Sequence, residues 1–340
     1  MSLAQGRPYL AIPGPSVVPD RVLAAMHRPA PNIYEGELIE MTAGIARDLC
    51  GVARTGGDVA MYVANGHGAW EAALANTLAP GGKVLVLATG RFGHGWAEMA
   101  EAMGFEVEIL DFGKRTPADP ERLRAALRAD AGGRIGAVLA THVDTATSVR
   151  NDVAALRQVL DETGHGALLM ADCIASLACD RFEMDEWGAD VMVAGSQKGL
   201  MVPPGMAFVF FNARAAAARA RLPRVSRYWD WAPRAAPEQF YQYFGGTAPT
   251  HHLYGLREAL DMIAEEGLEH VLARHATLAR AIWAACARWG EGGPLELNIA
   301  DPAHRSHAVT ALRIGAPHGA RLREWMAEEA GVTLGIGLGM

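Results

Sequence analysis

The sequence predicts an α/β protein with a seven-stranded, mainly parallel sheet, helices on both faces of that sheet, and a small α+β domain at the C-terminal end. Short apolar runs that end in Gly, Asn, Asp or Ser alternate with alanine-rich helical stretches. Such alternation is typical of a parallel sheet wrapped by helices. Several runs are apolar almost throughout, as expected of strands that are covered on both faces.

The alternation continues along the chain to about Pro249. The predicted strands are Val59–Ala64, Lys83–Ala88, Glu106–Leu110, Ile135–Thr141, Ala167–Ala171, Asp190–Ala194 and Ala207–Phe211. The helical patterns between them include Ala69–Leu78, Gly93–Met103, Pro120–Ala129 and Val153–Thr163.

A different pattern follows Pro249 and predicts the small domain. Its predicted elements are helices Thr250–Glu266 and Val271–Trp289, strands Leu295–Asn298 and Ala308–Arg313, and a helix Gly319–Ala330. We divide the chain into an N-terminal crossing segment (1–20), a large domain (21–255) and a small domain (256–340). The chain closes in a glycine-rich run directly after a strand-like start, so we expect the small domain to be incomplete at its C-terminus.

Composition excludes several classes of protein. The 340 residues carry a formal net charge of −7, which argues against a sequence-independent grip on nucleic acid. We find no apolar run of membrane-spanning length and no apolar stretch of a signal peptide at the start. The four cysteines do not have the spacing of a zinc site, and they are too few to stabilise a chain of this size by disulfide bonds. We therefore expect reduced thiols, no bound metal and a cytoplasmic protein.

The first candidate site residue is Lys198, in the stretch Ala194–Leu200 (AGSQKGL) that follows a predicted strand. Ligands of open α/β sheets bind outside the carboxyl ends of the strands. A partly desolvated lysine there has a lowered pKa and can form an imine, or Schiff base, with an aldehyde. A surface lysine in a loop is the plain alternative.

Asp172 ends another predicted strand, in the stretch Leu168–Ser176. A carboxylate at that point can pair with the protonated ring nitrogen of pyridoxal 5′-phosphate (PLP) and keep the ring able to accept electrons. An isolated aspartate at a strand end is more often a helix cap. Lys198 on a later strand end favours the functional interpretation.

A strand, a Gly-x-Gly turn and a helix occur together at Ala64–Glu71 (ANGHGAWE). Free N–H groups at a helix start bind phosphate, and glycines let the backbone approach it. A dinucleotide-binding fingerprint would need a third glycine where this chain has Glu71. A single phosphate is therefore the better prediction.

Two more strand ends carry groups that could contact a cofactor or a substrate. Phe92, after one strand, is either a stacking partner for a cofactor ring or an ordinary core residue. The stretch Thr141–Thr147 offers hydroxyls for a ring oxygen or a substrate, or for turns and caps. Five strand ends of one sheet would thus present an anion turn, an aromatic ring, hydroxyls, a carboxylate and an amine.

With these residues, the chain resembles the class V aminotransferases of PLP fold type I, and most closely the alanine–glyoxylate and serine–glyoxylate group. The matching stretches are Ile12–Ser16, Gly66–Ala73, His142–Thr147, Asp172–Ser176, Ser196–Leu200 and Gly246–Tyr254. They follow the family's order over nearly the whole chain.

The resemblance implies further assignments in a shared active site. Cofactor contacts would come from Gly66, His67, Gly68, Phe92, Thr145, Ile174 and Gln197, in addition to Asp172 and Lys198. Thr247 would reach the cofactor phosphate of the neighbouring subunit in a homodimer. Asn32 and Tyr34 lie in the segment that approaches the substrate, but they replace the His-Arg pair common in close relatives.

One role remains unassigned. Relatives clamp the substrate carboxylate with an arginine near the C-terminus, in an Arg-Ile-Gly-like stretch. We do not transfer that role to Arg313 or Arg321.

The sequence thus predicts a PLP-dependent transaminase of small amino acids and small 2-oxo acids such as glyoxylate or pyruvate. Lys198 would act as general base and acid at the substrate α-carbon, and Asp172 would hold the ring charge. A PLP lyase of the desulfurase type would need a thiol on a mobile loop, which the positions of Cys173, Cys179 and Cys286 disfavour. A non-enzymatic binding protein of the same fold remains an alternative.

Overall fold

A seven-stranded sheet forms the centre of the protein, which a computed structural model describes over residues 9–339. The strands are β1 (Tyr9–Ala11), β2 (Asp58–Ala64), β3 (Lys83–Ala88), β4 (Glu106–Asp111), β5 (Ile135–Thr141), β6 (Leu168–Asp172), β7 (Val191–Gly195), β8 (Gly205–Phe211), β9 (Leu295–Leu297), β10 (Leu312–Ile314) and β11 (Val332–Leu334). Strands β2 to β8 form the sheet in the order β2-β8-β7-β6-β5-β3-β4. Strand β8 runs antiparallel to its neighbours β2 and β7, and the other pairs are parallel. The predicted α/β fold with a mainly parallel sheet is confirmed.

Helices cover both faces of this sheet. They are α1 (Asp20–Met26), α2 (Glu37–Ala53), α3 (Gly66–Ala75), α4 (Arg91–Ala102), α5 (Pro120–Ala129), α6 (Val153–Thr163), α7 (Ala213–Arg221), α8 (Ala232–Ala235), α9 (Thr250–Glu266), α10 (Leu268–Gly290) and α11 (His318–Glu328). Successive strand residues point to opposite faces. Leu85 therefore packs in a core with α2, α5, α6 and α9, whereas Val86 packs in a second core with α3, α4 and α7.

Two small strand pairs lie outside the main sheet. Strands β9 and β10 pair antiparallel after the long helix α10, and β1 pairs parallel with β11. The start of the described chain is thereby joined to its last strand. Residues 1–8 of the predicted crossing segment lie outside the described residues, as does Met340.

Two of the element boundaries that differ from the prediction have an identifiable hydrogen-bonding reason. Helix α3 begins at Gly66 rather than Ala69 because the Asn65 side chain accepts hydrogen bonds from the N–H groups at its start. The predicted strand Ala308–Arg313 is reduced to β10. The backbone N–H groups of His307 and Ala308 bond to the Asp180 carboxylate instead of a neighbouring strand.

No helix within residues 9–339 is both long enough and apolar enough to cross a membrane.

Candidate active site

The carboxyl ends of β2, β3, β5, β6 and β7 meet at one edge of the sheet. Strands β3, β5, β6 and β7 are parallel neighbours, and β2 has the same direction because β8 is antiparallel to both β2 and β7. The predicted site residues that follow these strand ends are Gly66, His67, Gly68, Phe92, Thr145, Asp172, Ile174, Gln197 and Lys198. This edge is where open α/β sheets bind ligands.

Asp172 is a buried carboxylate with two fixed hydrogen bonds. Its Oδ1 accepts from the Ile174 N–H (2.8 Å) and its Oδ2 from the Trp70 indole Nε1 (3.1 Å). Burial raises the pKa of Asp172 to about 7, although both hydrogen bonds and the charge of Lys198 oppose the rise. A carboxylate with so little solvent is stabilised in its charged form by a cationic partner.

Lys198 lies in the loop after β7, next to Asp172 across the sheet edge. Its Nζ donates a hydrogen bond to the backbone oxygen of Pro13. Burial lowers the pKa of the Lys198 amine, and the negative charge of Asp172 counteracts part of that decrease. The amine is thus closer to the neutral, nucleophilic form than an exposed lysine would be.

The segment before α1 packs directly on the Lys198 loop. The Ser16 hydroxyl donates to the Lys198 backbone oxygen (2.9 Å), and the Ser16 N–H donates to that of Gln197 (2.9 Å). Gly14 has a φ of +131°, and a Cβ at this position would lie 2.5 Å from the Lys198 Nζ. A glycine is therefore required where the segment crosses the amine.

Helix α3 starts at the same edge, with two glycines that leave no room for a side chain. A Cβ on Gly66 would lie 2.3 Å from the Ile174 Cδ1, and one on Gly68 would lie 2.9 Å from the Trp229 ring. The Asn65 Oδ1 accepts from the N–H groups of His67 and Gly68 at 3.1 and 3.4 Å. A bound phosphate would share or take over these donors at the positive end of the helix.

Gln197 carries a buried polar atom that the protein leaves unsatisfied. Its Oε1 has no hydrogen-bond partner within the described chain. Buried acceptors are normally paired, so this one indicates a missing donor, such as a water or a ligand.

Phe92 and Thr145 lie in two different segments of the edge, the first turn of α4 and the loop after β5. Phe92 is half-buried near the start of α4, with its ring edge-on to Trp70 at a centroid distance of 6.4 Å. Thr145 is buried in the loop after β5. Both segments are anchored to the carboxylate of Asp144.

Three further predicted residues lie on the surface of the described chain. Asn32 and Tyr34 are exposed in the loop between α1 and α2, where the Asn32 amide bonds to Glu35. Thr247 is exposed in the turn before α9.

A cavity of about 600 Å³ is lined by His67, Trp70 and Phe92 and by the basic side chains Arg91 and Lys114. It provides space for a small molecule next to the sheet edge.

Sequence reasoning missed Trp70, Asp144 and the contact of Pro13 with Lys198. Trp70 was inside a recognised motif, four residues after Gly66, which places it one helical turn further along α3. Asp144 was inside a second such motif, Thr141–Thr147. Its position just after a buried strand is a signal that could have identified it. No local pattern links Pro13 to Lys198, because the contact joins residues 185 positions apart.

The residues present fit PLP in three respects. Asp172 suits its ring nitrogen, the Lys198 amine its aldehyde, and the start of α3 its phosphate. The unpaired Gln197 oxygen beside them needs a hydrogen-bond donor that no side chain of the described residues supplies.

Comparison with known proteins agrees with this arrangement. A family model described as aminotransferase class V matches residues 61–338. The chain is 38% identical to the serine–glyoxylate aminotransferase of Methylorubrum extorquens, over 98% of this chain and 83% of that protein. It is also 38% identical to the L-aspartate–glyoxylate aminotransferase of Paracoccus denitrificans, over 96% and 82% of the two chains.

A solved structure shows the same fold. The alanine–glyoxylate aminotransferase of Nostoc sp. matches with a TM-score of 0.88 at 26% identity, covering 100% of this chain and 91% of that one. The predicted family and cofactor are confirmed, and the chain belongs to the class V aminotransferases, enzymes that use PLP to transfer amino groups.

Proposed function

We propose that this enzyme moves an amino group from a small amino acid, of the serine, alanine or aspartate type, to glyoxylate or pyruvate. The substrate class rests on the activities named for the relatives, which share glyoxylate as acceptor. The placement of the chemistry rests on one observation: the buried Asp172 and the half-buried Lys198 are neighbours at the sheet edge, close enough for each to affect the pKa of the other.

In this proposal, the Lys198 Nζ would hold the cofactor through its aldehyde. Asp172 would pair with the ring nitrogen, the start of α3 and Gln197 would bind the phosphate, and Phe92 and Ile174 would contact the two ring faces. When bound, PLP would supply an electron-withdrawing ring that acidifies the substrate α-carbon. The Lys198 amine would take up the proton of that carbon and return it.

The thiols of the chain support a transaminase over a desulfurase-type lyase. Cys173, Cys179 and Cys286 are buried, and Cys50 is half-buried. Burial raises the pKa of Cys179 to about 12 and that of Cys50 to about 11. A lyase of that type needs a reactive thiolate, and none of the four sites favours one.

We further propose a homodimer in which Thr247 of each subunit reaches the other subunit's cofactor phosphate. The exposure of Thr247 at a turn supports this role. We also propose a cytoplasmic location, which the four unpaired cysteines support.

The lysine assignment has a direct test, because Lys83, Lys114 and Lys198 are the three lysines of the chain. PLP-loaded protein is reduced with borohydride, digested, and mapped for a phosphopyridoxyl-lysine. We expect the label in the Lys198 peptide, its loss in Lys198→Ala, and its retention in Lys83→Ala, whose side chain pairs with Glu108 at the far end of β3.

A label on Lys83 or Lys114 would overturn the assignment of Lys198. A wild-type protein that takes up no PLP would overturn the proposed function and favour a binding protein of the same fold. The donor and acceptor are then identified by screening serine, alanine and aspartate against glyoxylate and pyruvate, following the visible absorbance of the enzyme.

A further inference from the structure

The carboxylate of Asp144 is fully buried and bonded to the backbone of two segments: the first turn of α4, which follows the loop after β3, and its own loop after β5. Its Oδ2 accepts from the N–H groups of Phe92 (2.8 Å) and Gly93 (3.2 Å), and its Oδ1 accepts from Ala146 (3.0 Å). No Lys, Arg or His within residues 9–339 forms an ion pair with it. Buried carboxylates are usually paired with a cation, so this one is held by backbone N–H groups instead.

The loop after β3 is fitted closely around this carboxylate. A Cβ on Gly90 would lie 2.5 Å from the Asp144 Cγ. Gly90 is the residue before α4 and has no side chain that could accept a hydrogen bond from the start of the helix. Asp144, which follows strand β5, supplies the acceptor instead. A negative charge is favourable at the start of a helix, which helps to keep Asp144 ionised despite its burial.

Capping alone does not require this arrangement. Asp119 and Asp152 cap α5 and α6 from the residue just before each helix, with side chains near solvent. Asp144 differs because it lies in another segment, the loop after β5 that carries Thr145, and bonds from there to the first turn of α4, which carries Phe92. These hydrogen bonds fix the distance between the loop and the start of the helix.

We infer that Asp144 is a positioning residue, which sets Phe92 and Thr145 at a fixed spacing around the cofactor ring. The inference rests on the proposed function, in which these two residues contact PLP. Asp144 itself touches the backbone of these two segments and acts through it.

The test compares Asp144→Asn with Asp152→Asn in the full-length protein. Asparagine caps helices about as well as aspartate, so a capping role predicts little change in either variant. At position 144, however, the new NH₂ group must face an N–H donor in one of the two segments. We expect the PLP dissociation constant of Asp144→Asn to rise about tenfold, as for the loss of one hydrogen bond to a charged group.

The visible circular dichroism of the bound cofactor gives a second readout, because it reports the asymmetry of the ring's surroundings. We expect its band to shrink in Asp144→Asn and to stay unchanged in Asp152→Asn. The charge of Asp144 raises the pKa of Asp172, so neutralising it would by itself favour the ionised Asp172. A lower affinity for PLP in Asp144→Asn would therefore reflect a change in loop position rather than a change in the charge of Asp172.

Gly90→Ala tests the same contact from the other loop. Gly90 has an extended backbone (φ 166°) that any residue adopts, so the added methyl acts by pushing on Asp144. We expect the same loss of affinity and of circular dichroism.

The inference is overturned if both variants bind PLP with the affinity and spectrum of Asp152→Asn. It is also overturned if both fail to fold, which would assign Asp144 to stability alone. Failure of the wild-type protein to bind PLP would instead overturn the proposed function.

Discussion

The indole Nε1 of Trp70 donates a hydrogen bond to the Oδ2 of Asp172 across 3.1 Å, so helix α3 holds the carboxylate at the end of β6. The helix whose start is proposed to bind the phosphate thus also orients the partner of the ring nitrogen. Helix α3 would therefore position both ends of the proposed cofactor.

Trp70→Phe should raise the pKa of Asp172 above its value of about 7, because the hydrogen bond favours the charged form. The loss of one such bond predicts a rise of about one pH unit. The measurement is a ¹³C NMR titration of the cofactor-free protein, with Asp172→Asn to assign the signal.

Trp96→Phe is the matched control. Trp96 stacks on Trp70 at a centroid distance of 5.7 Å, and its Nε1 is buried without a hydrogen-bond partner in the described chain. An equal change in the Asp172 pKa in both variants would mean that packing, and not the hydrogen bond, sets it.

Gly14→Ala should block the linkage of PLP to Lys198, since its methyl would occupy the space of the Nζ. Gly36→Ala is the control, because Gly36 also has a positive φ (+98°) but an added Cβ meets nothing within 4 Å. Both variants should lose about 1–3 kcal/mol of stability from backbone strain. Only Gly14→Ala should lose the borohydride-fixed label on Lys198, and a retained label would refute the steric argument.

The stability of the cofactor-free protein should depend on pH through Asp172. Its folded pKa of about 7 exceeds the ordinary value of 3.8, so the folded state binds more protons between these values. Stability from this group is therefore lost as pH rises. Relative to Asp172→Asn, the wild-type protein should lose about 2–3 kcal/mol of unfolding free energy between pH 5 and pH 8.

Comparison with the variant is needed because His142 acts in the opposite direction. Burial lowers the pKa of His142 to about 4, so its contribution to stability increases as pH rises toward its ordinary value of 6.5. Urea unfolding of both proteins at the two pH values provides the measurement. Parallel pH profiles would show that Asp172 stays ionised throughout.

Mixed dimers test the proposed role of Thr247. Thr247→Glu should impair PLP binding, because it places a carboxylate against the phosphate. A subunit with Lys198→Ala still offers an intact Thr247 to its neighbour. If the site is shared, random mixing of the two inactive variants in equal amounts should restore about one quarter of wild-type activity, by the statistics of a symmetric dimer. No recovery in dimers shown to have exchanged subunits would place Thr247 in the site of its own subunit.

Local pattern was sufficient for the strands of the seven-stranded sheet and for several of the helices between them, but not for α1 and α2. Strands such as β5 and β7 are short apolar runs buried on both faces, and helices such as α5 and α6 begin at an aspartate cap. These signals depend on neighbours in sequence. Strand β10 is shorter than its pattern predicts because Asp180, more than 120 residues away, accepts hydrogen bonds from the N–H groups of His307 and Ala308.

In the candidate site, too, some features follow from local sequence and others depend on tertiary contacts. The sequence by itself determined which groups stand at the strand ends, because parallel strands with buried faces bring those ends to one edge. Only the tertiary structure decided what holds those groups: Trp70 against Asp172, Pro13 against Lys198, and Asp144 between its loop and the start of α4. Hydrogen bonds between residues distant in sequence depend on how helices and loops pack, and packing leaves no period or spacing in the chain.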